Sequence, residues 1–157
     1  MISSSRLRWL THPVYCMAMG LGTGLAPRAP GTVGTLLGFP LYYLMTAPGL
    51  PGLVPWLLAA AFVLGIWLCD VTGRFLGEAD HPAIVWDEVV AMAFVLALIP
   101  DGPGWQLAGF AVFRFFDIVK PWPIRYVDRS IKNGLGVMLD DAIAAAFTVA
   151  VIRLWAH

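Results

Sequence analysis

"APGTVGTLLGFPLYYLMTAPGLPGLVPWLLAAAFVLGIWLC", Ala29 to Cys69, runs for 41 residues without one Asp, Glu, Lys or Arg. A single crossing of a bilayer needs roughly 20 apolar residues, so this stretch has the length for two. The natural turn between them is "TAPGLPGLVP", Thr46–Pro55, where proline and glycine interrupt the apolar text. The composition agrees. Of 157 residues, 59% are hydrophobic and 13% charged, against about 25% charged in an ordinary soluble domain. Mean hydropathy is +0.77, and a soluble globule could not cover its surface with so few polar groups. The length fits one domain. The chain reads as a polytopic membrane protein.

Outward from that run, five apolar segments emerge: about Thr32–Thr46, Leu53–Cys69, Ile84–Pro100, Trp105–Val119 and Ala142–Trp155. Lipid offers no water to unpaired backbone groups, so all should be helices. The expected architecture is an all-α bundle with about four to five apolar helices and a polar site on the cytoplasmic side. Residues 1–28 form a cytoplasmic N-terminal segment and 29–157 the helical membrane core of a single domain. The fourth segment carries Arg114 and Asp117, and the last is short, so these two are the weakest spans.

The basic residues set the orientation. Arg6, Arg8 and Arg28 precede the first segment, Arg74 lies between the second and third, and Lys120, Arg125, Arg129 and Lys132 lie between the fourth and fifth. Counted over alternate loops, these fall on one side, which is then the cytoplasm; Arg153 is the exception. "MISSSRLRWLTHPVYC" has Thr11, His12 and Pro13 where a signal peptide needs its apolar core. Cys16 and Cys69 form no CxxC pair, so neither a disulfide framework nor a zinc site is indicated. Zero formal net charge argues against a nucleic-acid partner.

Seven of the ten acids, Asp80, Asp87, Glu88, Asp117, Asp128, Asp140 and Asp141, lie in or beside those same cytoplasmic segments. Charges facing lipid are costly, so they should point into the bundle or a shared wet cavity. Plainer readings exist for several. Asp80 before Pro82 fits a helix N-cap with proline at N1. Asp140 and Asp141 open the last apolar segment and suit its dipole. Arg114, Asp117 and Lys120, spaced i, i+3, i+6, could form a helix-face ion-pair ladder. Taken together, the acids fit a hard cation held by oxygen, Mg²⁺ before Ca²⁺ or Zn²⁺. Interleaved Arg and Lys suit a phosphate, and metal with cations is the recurring equipment of phosphoryl chemistry. "GTGLAPRAPGTVGT", Gly22–Thr35, could turn free N–H groups and the Thr32 and Thr35 hydroxyls to an anion. It could equally be only a flexible loop before a membrane helix. It lacks the GxxxxGK[ST] of a P-loop.

Four motifs, "APGTVGT" (Ala29–Thr35), "DHPAIVWDE" (Asp80–Glu88), "FRFFDIVKPWPIRYVDR" (Phe113–Arg129) and "GLGVMLDD" (Gly134–Asp141), resemble the bacterial phosphatidylglycerophosphatase A family and occur in its order. The resemblance implies a Mg²⁺-dependent lipid phosphatase of the bacterial inner membrane. Such an enzyme releases inorganic phosphate from phosphatidylglycerophosphate in phospholipid biosynthesis, leaving phosphatidylglycerol, with its site facing the cytoplasm. On these motifs Asp87, Glu88, Asp117 and Asp141 are expected around Mg²⁺, and Arg114, Lys120, Thr32 and Thr35 at the phosphate. Asp80, His81 and Asp117 are the expected catalytic groups, His81 either passing a proton to the leaving alkoxide or serving only as a partner that orients Asp80. Two rivals differ in pattern. A CDP-alcohol phosphotransferase would show DG-x₂-AR-x₈-G-x₃-D-x₃-D, which is absent. A divalent-cation transporter would place charges near the midplane, often within an inverted repeat.

Overall fold

The computed structural model describes residues 7–47 and 49–156, so Arg6 and Pro48, used above for orientation and turn, lie outside the described residues. Eight α-helices appear among the described residues, and no strand. They are α1 (Pro13–Ala18), α2 (Pro30–Leu36), α3 (Gly38–Thr46), α4 (Val54–Leu76), α5 (Trp86–Leu98), α6 (Pro103–Val119), α7 (Ile124–Ser130) and α8 (Gly134–Trp155). Short 3₁₀ turns cover Arg8–Thr11, Gly20–Leu25 and Pro51–Leu53.

α8 is the axis of the bundle, packing against α4, α5, α6 and α7. The largest fully buried side chains, among them Phe113, Met92, Ile124, Met138 and Ile152, gather around it and α5. Its N-terminus is secured twice. The Asn133 side chain accepts from the N–H groups of Leu135 and Gly136, and Asp70 Oδ1 on α4 accepts from Gly134 N–H at 3.4 Å. A Cβ at Gly134 would run into the Ile66 carbonyl, so the absence of a side chain lets α8 and α4 touch backbone to backbone.

Two helices are long and apolar enough to cross a membrane: the stretch Pro51–Leu76 and Gly134–Trp155. Much of their outer surface is apolar and open, with Trp56, Val63, Trp67 and Leu154 all more than half exposed. Contiguous exposure of that kind is what a lipid-facing wall requires. α3, α5 and α6, at 9, 13 and 17 residues, are shorter.

The structure corrects four local readings. The expected helix Thr32–Thr46 is broken at Leu37 into α2 and α3, because Pro40 has no N–H for the Leu36 carbonyl and its ring crowds that turn. Asp80 is no N-cap: it stands in a turn, and α5 starts at Trp86 behind Val85. Asp140 and Asp141 do not open the last helix, which begins at Gly134 and places them near its second turn. Finally, "GTGLAPRAPGTVGT" is largely helical, comprising a 3₁₀ turn and α2.

Candidate active site

The first turn of α5 carries the two acids of "WDE", favoured there by the helix dipole. Two contacts fix how that turn enters the bundle. Val85 N–H donates to the Ala18 carbonyl at 2.9 Å, and the Trp86 indole N–H donates to the Ala61 carbonyl of α4 at 3.1 Å. With α5 pinned on both sides, Asp87 and Glu88 face Asp141 of α8, and one carboxylate oxygen from each lies within 4.8 Å of the others. Asp87 and Asp141 are buried and Glu88 is half-buried.

Three acids this close repel one another unless something positive stands between them. The buried oxygens Asp87 Oδ1, Glu88 Oε2 and Asp141 Oδ2 accept no hydrogen bond from any described residue. Orphaned buried acceptors are rare in folded proteins. Three hard oxygen donors converging on one point suit Mg²⁺ or a similar cation, so the residues present fit the metal expected here.

Arg114, on α6, closes the other side. Its Nη1 lies 3.6 Å from Glu88 Oε1, donates to Thr35 Oγ1 at 3.2 Å and forms an ion pair with Asp117 three residues on. Its buried Nε has no partner among the described residues. Asp117 therefore meets the acid triad through Arg114 and is not one of its three members. Thr35 donates its own proton to the Gly31 carbonyl, so its hydroxyl orients Arg114. Thr32 is half-buried on the same short helix, with no side-chain hydrogen bond among the described residues. A side chain at Gly31 would collide with Glu88 Oε1 and lie 3.3 Å from the Arg114 guanidinium. Gly31 is thus what allows α2 to reach the site.

A second acidic group, Asp80, Asp128 and Asp140, surrounds the Lys120 ammonium. Lys120 Nζ pairs with Asp140, lies 3.2 Å from Asp128 Oδ1 and 3.9 Å from Asp80 Oδ2. α6 ends at Lys120 in a left-handed conformation, φ 45°, with Pro121 next, which turns the lysine off the helix face. The ladder Arg114–Asp117–Lys120 is therefore half present: its first pair forms, and Lys120 goes elsewhere. Burial raises the Asp80 carboxyl above its ordinary range, with the Lys120 charge opposing in part. Burial pulls Lys120 down, but Asp140 and Asp80 outweigh it, and its net shift is upward.

His81 turns toward neither group. Its Nδ1 accepts from Ala83 N–H at 3.1 Å, and its ring stands edge-on to Trp9. Among the described residues no hydrogen bond or ion pair joins it to a carboxylate. Two positions escaped the sequence reading of the site. Asp128 could have been found as the second acid of the Phe113–Arg129 motif, and Gly31 as the glycine between Pro30 and Thr32 in the Ala29–Thr35 motif.

Comparison with known proteins gives a consistent picture. The family model described as Phosphatidylglycerophosphatase A matches residues 16–156. A phosphatidylglycerophosphatase A of Escherichia coli is 38% identical over 99% of this chain and 90% of its own. One from Haemophilus influenzae is 46% identical over 91% of this chain and 88% of its own. A protein of Bacteroides thetaiotaomicron, 38% identical over 86% of this chain and 88% of its own, carries the provisional description of a phosphatidylinositol-3-phosphatase. No solved structure matches.

Proposed function

The chain belongs to the phosphatidylglycerophosphatase A family, and from that membership we propose that it hydrolyses phosphatidylglycerophosphate to phosphatidylglycerol and inorganic phosphate with Mg²⁺ as cofactor. The observation that carries the metal part is the triad Asp87, Glu88 and Asp141 with its three unpartnered oxygens. We assign those three to the ion. When bound, it would supply the positive charge that polarises the phosphoryl group and eases deprotonation of an attacking water.

The remaining chemistry falls to the chain's own groups. Arg114 is held by Glu88, Asp117 and Thr35 through one nitrogen, leaving donors of its planar fork for phosphate oxygens. Lys120 was expected at the phosphate as well. Its three carboxylate neighbours leave it too neutralised to attract an anion, so we assign it to holding Asp140 and, through the chain, Asp141. His81 is our choice for the proton that the leaving glycerol oxygen must gain. With Nδ1 accepting from Ala83 the resting ring is neutral, so it must first take up a proton at Nδ1, releasing that hydrogen bond, before Nε2 can give one to the alkoxide. The transporter reading loses ground, since the charges gather at one end of the bundle, far along α8 from Arg153.

Phosphate release from detergent-solubilised phosphatidylglycerophosphate tests the reading. Release should proceed with Mg²⁺, stop in EDTA and return when Mg²⁺ is restored. An undiminished rate in EDTA would overturn the metal assignment and leave the phosphatase one. Phosphatidylinositol 3-phosphate, suggested by the Bacteroides relative, is the competing substrate to run alongside and should be turned over more slowly.

We further propose a multi-pass protein of the bacterial inner membrane with this site facing the cytoplasm. The stretches 70–83, from the end of α4 onward, and 120–136, which includes α7, hold Arg74, Lys120, Arg125, Arg129 and Lys132, and basic residues flanking a span resist translocation. Cysteines at Gly77 and Asn133 should both escape a membrane-impermeant thiol reagent in intact cells. Labelling of either from outside would reverse the orientation.

A further inference from the structure

A cavity of about 470 Å³ lies between α4, α5 and α8, within the roughly 300–1,000 Å³ typical of small-molecule sites. Its lining is apolar with one exception, Asp87. That residue is buried, and its Oδ1 is among the unpartnered oxygens of the triad. Ala91, Ala97 and Ala142, small and at least partly buried, leave room for it along α5 and α8. On α4, Pro55, Ala59 and Val63 lie along one exposed edge, so it opens sideways where a lipid would stand. From Asp87 to Leu98 it follows α5 for eleven residues, about 16 Å at helical rise. Half of a hydrocarbon core roughly 30 Å thick is nearly the same depth.

We propose that this groove seats one acyl chain of the lipid phosphomonoester substrate, running one leaflet deep while the headgroup phosphate meets Arg114 and the ion that Asp87, Glu88 and Asp141 would hold. The inference rests on the phosphatase reading of that polar end. The occupant follows from the groove's own chemistry. A molecule filling it must be apolar over a leaflet's length, enter from the side, and carry at one end an anion that Arg114 and a triad-held cation would attract. A lipid bearing a terminal phosphate meets all three conditions. In this arrangement α5 is a ruler: its first turn stands at the phosphate end, and Ala97, near its end, meets the chain's terminus.

Ala97→Phe, which fills the far end, is the test, assayed on phosphatidylglycerophosphate with two palmitoyl or two hexanoyl chains. The long-chain substrate should lose about tenfold or more in kcat/KM, chiefly through KM, the effect of withdrawing roughly two methylenes from an apolar seat, while the short-chain one stays within about twofold. A second measurement needs no turnover. Phosphatidic acid, which carries a terminal phosphate, with a diazirine at the end of one acyl chain should crosslink to Phe94 or Leu98, less so in Ala97→Phe, and phosphatidylethanolamine with the same diazirine should label weakly. Equal losses on both chain lengths, or equal labelling by both headgroups, would overturn the proposal. Should the unaltered protein hydrolyse neither substrate, the phosphatase reading fails and the crosslinks alone decide the groove.

Discussion

Asp87→Asn and Asp141→Asn should each lower phosphate release by at least about 100-fold, the scale of removing one strong electrostatic contact from a reaction centre. Both residues are buried, and each contributes an unpartnered oxygen to the triad. The change to asparagine keeps the shape and removes the charge. It should also leave the fold intact, because three carboxylates within 4.8 Å of one another repel when no cation is bound. In EDTA, therefore, the thermal midpoint of either variant should equal or exceed that of the parent, and only activity should collapse. Asp117→Asn acts through Arg114 and should cost less. Asp101→Asn, exposed in the turn before α6, is the control and should be fully active. An inactive Asp101→Asn beside active Asp87→Asn and Asp141→Asn would mean the site lies at the other end of the bundle.

Arg114 should give the second large effect, and two substitutions separate its roles. Arg114→Leu strands Glu88 and Asp117, whose side chains are only 13% and 11% exposed. Breaking a buried ion pair from one side typically costs about 3–5 kcal/mol, so this variant should melt markedly lower or fail to purify. Arg114→Lys keeps the charge that neutralises both acids and should recover most of that stability. It cannot reproduce the fork, since one ammonium cannot serve Thr35, Asp117, Glu88 and a phosphate together. Its activity should accordingly stay about 100-fold down. A Lys variant with parental turnover would reduce Arg114 to a structural counter-ion.

How much of this was legible in the sequence depended on the kind of signal. The absence of charge from Ala29 to Cys69 needs no partner to interpret and marks the long helix Pro51–Leu76 in advance, whereas the other long helix, Gly134–Trp155, was expected only as a short segment from Ala142 because Asp140 and Asp141 interrupt its apolar text. That acids would meet was legible too, because in so apolar a chain they had few other places to go. Their sorting was not. Nothing local to Asp140 and Asp141 tells that one turns to Lys120 and the other to Glu88; the packing of α8 against α4, α5 and α6 decides it. Lys120 looked like the third rung of a ladder because helical spacing was extended one residue past the helix, into a left-handed turn. Asp80 looked like a cap because Pro82 so often follows one, whereas the backbone here stays irregular up to Val85. Such errors share a cause: spacing describes an isolated helix, while these side chains answer to neighbours remote in sequence.

The backbone contact at Gly134 bears on all of this through geometry of another sort. Adjacent residues of a helix diverge by about 100°, so Asp140 and Asp141 divide the bundle's polar end between a lysine-centred and a metal-competent half. A modest roll of α8 about its long axis would pull one carboxylate out of its half while pushing the other away from its partners. Both halves are thus tuned by a single angular coordinate, and where α8 rests against Ile66 and Asp70 of α4 that coordinate has a mechanical stop. The glycine works as a detent, setting the phase of a shaft whose working teeth lie two turns further on.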